Sequence, residues 1–247
     1  DLEEKLADPQ TSMLILCNPH NPVGKIWDRE TLERIGELCF KHHVLVLSDE
    51  IHCDITRPGM EYIPFASVSE HCKNNSITCV APTKTFNLAG LQTAAVIVPD
   101  AALRHRVNRG LNTDEVAEPN VFAAIAPIAA FDRGREWLEE LREYLWENRK
   151  AAEDFIREEI PELRTVSADA TYLLWIDCNA LPGDLSELAE FIRKESGLYV
   201  CDGREYGNGY GFLRMNLACR RELLKEGLER LKRSIHSYRK GISNGII

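Results

Sequence analysis

The sequence predicts an α/β fold: a three-layer, mainly parallel sheet domain, a long connecting helix, and a smaller C-terminal α/β domain. Three observations carry this expectation. Short runs rich in Leu, Ile and Val alternate with longer stretches of helical period, the pattern of a parallel sheet with covering helices. One helical stretch, from Glu136 to Glu158, is unusually long and is stopped by Pro161. Beyond that proline the alternation of strand and helix resumes on a smaller scale. The expected domains are therefore 1–135, a connecting helix over 136–160, and 161–247.

Taken in order, the run Ser12 to Cys17 (SMLILC) is a buried strand ending in Asn-Pro turn chemistry. Asp28 then caps a helix with Leu32, Ile35, Leu38 and Cys39 on one face. The run Val44 to Leu47 delivers Ser48, Asp49 and Glu50 at its carboxyl end. Ser76 to Val80 and Ala94 to Val98 are the remaining strands of the first domain. Three helical stretches follow from Ala101. In the last, Trp137, Leu141, Leu145 and Phe155 recur at helical spacing, and the charged run Glu136 to Lys150 reads as a solvated face. Trp137 and Trp146 read as core or interdomain packing.

In the smaller domain, Tyr172 to Asp177 is a strand. Asp184 opens a helix with Glu187 completing a capping box and Leu185, Leu188, Ala189 and Ile192 on its apolar face. Tyr199 to Cys201, the strand Phe212 to Ala218, and a closing helix with Leu224, Leu228 and Leu231 complete the chain. The glycine-rich EYGNGYG stretch around Tyr206 reads as a flexible loop bordering a substrate entrance.

Composition narrows the function. A net charge of −9 argues against non-specific binding to nucleic acid or anionic membranes, which need clustered Lys and Arg. No segment approaches the ~20 apolar residues of a membrane span. The eight cysteines form no CxxC pair, and several lie in apolar runs where a free thiol behaves as a small core residue. This points to a reducing, cytoplasmic setting. His42 and His43 sit at a helix end, where cations suit the dipole, and no metal site is expected.

Three segments place polar groups just past the carboxyl ends of strands, where open α/β sheets bind ligands. In Asn18-Pro-His-Asn-Pro-Val-Gly24, two Asn-Pro steps restrict the backbone and Gly24 permits a positive φ. A well-made turn explains it as well as a ligand site does. His20, inside it, reads equally as turn packing or as a cofactor neighbour. In Ser48-Asp-Glu-Ile-His-Cys-Asp54, three acids and a histidine follow an apolar strand. Such a carboxylate is either a cap or loop residue, or the partner of a buried cation. In Ala81-Pro-Thr-Lys-Thr-Phe-Asn-Leu-Ala-Gly90, a lysine sits among small, hydroxyl-bearing and apolar residues, where it can form imines with carbonyl groups.

Taken in this order, NPHNPVG, SDEIHCD, APTKTFNLAGLQ and GFLRMNLAC resemble the motif series of fold-type I pyridoxal-5′-phosphate (PLP) enzymes. Within the class I/II aminotransferase superfamily they are most similar to the MalY/PatB branch of cystathionine β-lyase-like C–S lyases. The resemblance runs from Ser12 to the last helix and implies a PLP-transferase-like large domain. It implies that Lys84 is the Schiff-base lysine and the base for the substrate α-proton, and that Asp49 pairs with the pyridine nitrogen. Asn21 resembles the residue that hydrogen-bonds the ring oxygen, and His52 stands near that oxygen. Thr83 resembles a phosphate contact, and Arg214 the grip on the substrate α-carboxylate. Ala81 and Gln92 depart from the serine and arginine of many aminotransferases; GLQ reads as a marker of the C–S lyase branch. Arg220 replaces a frequent proline and receives no role. Relatives carry a substantial portion before the equivalent of Asp1, with a phosphate-binding helix start, so the chain reads as N-terminally truncated.

The resemblance implies α,β-elimination from cystathionine or another cysteine S-conjugate, giving thiol, pyruvate and ammonia. The substrate would be a small amino acid, and the full-length enzyme a homodimer. Aminotransferase chemistry is the alternative reading, and a non-catalytic binding or regulatory protein the third.

Overall fold

The computed structural model describes residues 1–243. Its contacts divide the chain into two compact units: Asp1–His20 with Lys25–Leu141, and Asn21–Gly24 with Arg142–Ile247.

The first unit contains α1 (Leu2–Leu6), β1 (Met13–Cys17), α2 (Arg29–Lys41), β2 (Leu45–Asp49), α3 (Glu70–Asn74), β3 (Ser76–Val80) and α4 (Pro82–Thr85). It continues with β4 (Ala95–Ile97), α5 (Ala101–Thr113), α6 (Phe122–Arg133) and the start of α7 (Arg135–Glu159). The sheet order is β1-β2-β3-β4. The first three strands are parallel, as the sequence pattern predicts, and β4 runs antiparallel to β3.

Register decides what this sheet presents. Cys17, Asp49, Cys79 and Val96 pair across the four strands and so share one face. The opposite face, with Leu16 and Val46, is covered by α1, α2, α3 and the 3-10 turn Phe65–Ser67. The resulting core includes Leu6, Leu32, Ile35, Leu38, Phe65 and Cys72. Helix α2 starts where the sequence places it, because the Asp28 carboxylate accepts the Thr31 N–H at 2.7 Å. The Asp49 face is far less covered: Met13 is 45 % and Ile15 66 % exposed. Helix α6 likewise leaves Ile125, Ile128 and Phe131 exposed and buries only Ala123.

The second unit contains the rest of α7, then β5 (Arg164–Thr165), β6 (Leu173–Asp177), α8 (Leu188–Ser196), β7 (Cys201–Asp202), β8 (Phe212–Asn216) and α9 (Arg221–Ser243). Its antiparallel sheet has the order β5-β6-β8-β7. Leu174, Ile176, Ile192, Leu213, Leu217, Leu228 and Leu231 form a continuous buried core. Each such side chain contributes about 1.5–3 kcal/mol on leaving water.

Some expectations need correction. The charged run Glu136 to Lys150 is not solvated throughout. Asn148 is fully buried and donates to the Leu217 and Cys219 carbonyls, and Arg149, 2 % exposed, donates to the Leu173 carbonyl. These two polar side chains close backbone acceptors that β8 and β6 leave open. Trp137 is not a core residue: it is 46 % exposed and stacks on Phe86 with centroids 5.8 Å apart. Trp146 is half-buried beside the Arg149 guanidinium. The Asp184 carboxylate caps Ser186, and the first turn is 3-10 (Leu185–Glu187), not the regular α turn a capping box implies.

Candidate active site

The three motifs occupy the carboxyl ends of β1, β2 and β3. Past β1, both Asn18–Pro19 and Asn21–Pro22 are cis. Asn18 is fully buried. Its backbone N–H donates to the Asp49 carbonyl at 3.0 Å, and its side-chain oxygen accepts from the Trp27 N–H at 3.2 Å. The Tyr62 hydroxyl donates to the Asn18 carbonyl at 2.8 Å. Gly24 has φ +75°, and a Cβ there would meet the Ala170 carbonyl oxygen at 2.5 Å. The Gly24 carbonyl accepts from Asp169 and Ala170, which explains why the short segment Asn21–Gly24 groups with the second unit.

At the end of β2 the acidic motif separates into different environments. Asp49 points to the open face between Cys17 and Cys79, and accepts the Ile51 N–H at 3.2 Å. Burial, and then the Asp49 charge, push both neighbouring thiols above the usual cysteine range. Glu50, only 2 % exposed, accepts from the Ser48 hydroxyl at 2.8 Å and the Phe65 N–H at 3.0 Å. Burial raises its carboxyl pKa against the opposing pull of those hydrogen bonds. His52 is buried. Asp54 accepts from the buried Thr85 hydroxyl at 2.9 Å, tying this motif to the next.

Past β3, Pro82 opens the one-turn helix α4, with Thr83 and Lys84 half-buried on it. Among the described residues the Lys84 ammonium has no ion pair or hydrogen bond. Two residues on, Phe86 packs edge-on against Phe131 at 5.3 Å and stacks on Trp137. This ring lies where residue 134 has room only for glycine: a Cβ on Gly134 would meet Phe86 Cε1 at 2.5 Å.

In the second unit, Arg214 lies on β8, beside Cys201 of β7 and Trp175 of β6. Its Nη1 donates to Asn21 Oδ1 at 3.2 Å and its Nη2 to Cys201 Sγ at 3.2 Å. The Tyr206 ring stands 4.7 Å from the guanidinium carbon. Burial holds the Tyr206 phenol up at about 12, against the downward pull of the Arg214 charge.

The six residues singled out from the sequence thus fall in two groups. Asp49, His52, Thr83 and Lys84 belong to the first unit, and Asn21 and Arg214 meet in the second. Sequence reasoning flagged the segments that hold Asn18 and Asp54 but gave neither residue a role, and it overlooked Tyr62 and the Asp54–Thr85 pairing. Tyr62 carries no local signal, since its partner is distant in the chain. The stretch around Tyr206 is also not the loose loop expected: a Cβ on Gly203 or Gly209 would collide with the other's backbone.

The chain belongs to the aminotransferase class I and II family, which matches residues 1–231. It is 42 % identical over 236 residues to cystathionine beta-lyase PatB of Bacillus subtilis, covering 95 % of this chain and 61 % of PatB. It is 33 % identical over 240 residues to protein MalY of Escherichia coli, covering 96 % of this chain and 61 % of MalY. The PLP-bound C-S lyase from Staphylococcus hominis superposes with a TM-score of 0.85 at 31 % identity, covering 95 % of this chain and 60 % of that one. The chain therefore spans about three fifths of the length of the relatives it matches.

Proposed function

We propose that this chain is part of a PLP-dependent C–S β-lyase that cleaves cystathionine or a related cysteine S-conjugate. The observation that carries the proposal is the identity to cystathionine beta-lyase PatB across 95 % of this chain. The donor set fits the cofactor. A lysine that among the described residues has no counter-ion, and a carboxylate on the open face, stand at the ends of neighbouring strands β3 and β2. An aldehyde and a pyridinium nitrogen need such a pair.

When bound, PLP supplies an electron sink for the charge left as the α-proton departs. Lys84 Nζ would hold the cofactor's aldehyde carbon and would serve as the base for the substrate α-proton. Asp49 would hold the proton on the pyridine nitrogen, His52 would stand near the ring oxygen, and Thr83 would contact the phosphate. Asn21, by its resemblance, would hydrogen-bond the ring oxygen. Arg214 grips the substrate α-carboxylate, a task suited to its planar fork. The overall change balances: cystathionine and water give homocysteine, pyruvate and ammonia.

In this reading the first unit is the cofactor-binding domain and the second the small domain. The full-length enzyme would be a homodimer, as the family resemblance implies, and eight free cysteines suit a cytoplasmic setting. Among the described residues no helix is long and apolar enough to cross a membrane. Family membership favours aminotransferase chemistry as the second reading.

The test is to load the protein with PLP and offer L-cystathionine with and without a keto acid. Equal release of thiol and pyruvate without keto acid is expected. Amino transfer that requires a keto acid and releases no thiol would assign the enzyme to the second reading.

A further inference from the structure

We infer that Tyr206 and Cys201 are positioning residues that hold the Arg214 guanidinium for the substrate carboxylate, so that discrimination between amino acids and simple amines depends on them. The inference rests on the role proposed for Arg214. An arginine side chain has several rotatable bonds, and fixing it before substrate arrives lowers the entropic cost of binding.

Three groups of the second unit hold the guanidinium. Asn21 Oδ1 and Cys201 Sγ each take one N–H, from Nη1 and Nη2. The Tyr206 ring faces the guanidinium at 4.7 Å, within the range where an aromatic face attracts a cation. Among the described residues no other hydrogen bond occupies the guanidinium, so its remaining N–H groups can meet an anion.

The ring is itself held. Its edge meets Trp175 with centroids 5.8 Å apart, and Trp175 stacks on Phe212 at 5.2 Å. The backbone carrying it, Gly203–Tyr206, is locked by the close approach of Gly203 to Gly209. Asp202 caps its start by accepting the Arg204 N–H at 2.8 Å. The glycine-rich stretch is thus a fixed mount for an aromatic ring. Cys201 adds the second contact because strand pairing places it directly beside Arg214.

The test compares two ligands that differ only in the carboxylate, L-alanine and ethylamine, titrated into the PLP-loaded enzyme and followed by cofactor absorbance. Tyr206→Leu should weaken L-alanine binding roughly fivefold to thirtyfold, the range of a cation–π contact that is partly to well desolvated. Ethylamine binding should not change. Tyr206→Phe keeps the ring and should rescue L-alanine binding. Cys201→Val should weaken L-alanine roughly twofold to tenfold, the worth of one hydrogen bond; it serves alone if Tyr206→Leu does not fold. Arg214→Lys is the reference. If it weakens L-alanine while neither Tyr206→Leu nor Cys201→Val does, the positioning role is overturned and the carboxylate role of Arg214 stands. Equal weakening of both ligands would also overturn it, as a general loss of structure. If Arg214→Lys itself has no effect, the reading of Arg214 and this inference fall together.

Discussion

The two units bury their sheets differently. In the second, α7, α8 and α9 close over an antiparallel sheet, and Leu174, Leu217 and Leu231 are inaccessible. In the first, helices cover only the Leu16 and Val46 face, and the face that carries Asp49 also exposes Met13 and Ile15. The difference teaches that the second unit closes its core on itself, whereas one face of the first unit's sheet, the one with Asp49, has little cover. A closed core fixes the strands of the second unit, and with them the backbone that carries Arg214. In the half-covered sheet Asp49 stands on the exposed face, one strand from the end of β3 that leads to Lys84.

The sharpest way to break this comparison is to exchange chemistry for stability. Lys84→Ala should lower thiol release from L-cystathionine by at least roughly a hundredfold to ten-thousandfold, the scale of losing a positioned base. It should leave the urea midpoint unchanged, because the side chain is only half-buried and unpaired. Leu231→Ala should do the reverse to stability, costing about 2–5 kcal/mol in urea unfolding through the cavity it leaves.

A smaller effect separates Glu50 from Asp49. Burial raises the folded-state pKa of Glu50 above its ordinary 4.5, so its stabilising contribution is complete below that value. That contribution is lost as pH rises through the raised pKa. Glu50→Gln should therefore gain stability relative to the wild type across that window and then hold a constant offset, measured by urea unfolding at several pH values. A difference that shrinks with rising pH would contradict the assignment.

The smallest effect belongs to the open face. Ile15→Thr should change stability by no more than about 0.5 kcal/mol, as at an exposed position. A loss comparable to that of Leu231→Ala would mean the face is covered in solution.

Much of this was legible in the sequence, for reasons that differ by element. Strand β3 has the bounds that its apolar run predicts, and α7 begins and ends within one residue of the stretch read from periodicity. The α2 face of Leu32, Ile35, Leu38 and Cys39 is buried as its spacing requires. What escaped depends on distant partners. Asn148 and Arg149 look like surface residues because their hydrogen-bond acceptors lie about 70 and 24 residues away. Glu50 and Asp49 are neighbours in sequence, yet a pleated strand sends successive side chains to opposite faces. The glycines around Tyr206 suggest looseness, since a close backbone approach leaves no local trace.

Gly134 shows what such a hidden constraint means for reading natural variation. It sits at the junction of α6 and α7, where alanine outranks glycine in helix propensity and would be scored as harmless or beneficial. Yet the missing methyl is the space that the Phe86 ring occupies, and Phe86 is two residues from Lys84. A change to alanine, fifty positions away along the chain, would press on the turn that carries Lys84. A genetic survey would meet it as a destabilising allele with an unremarkable address.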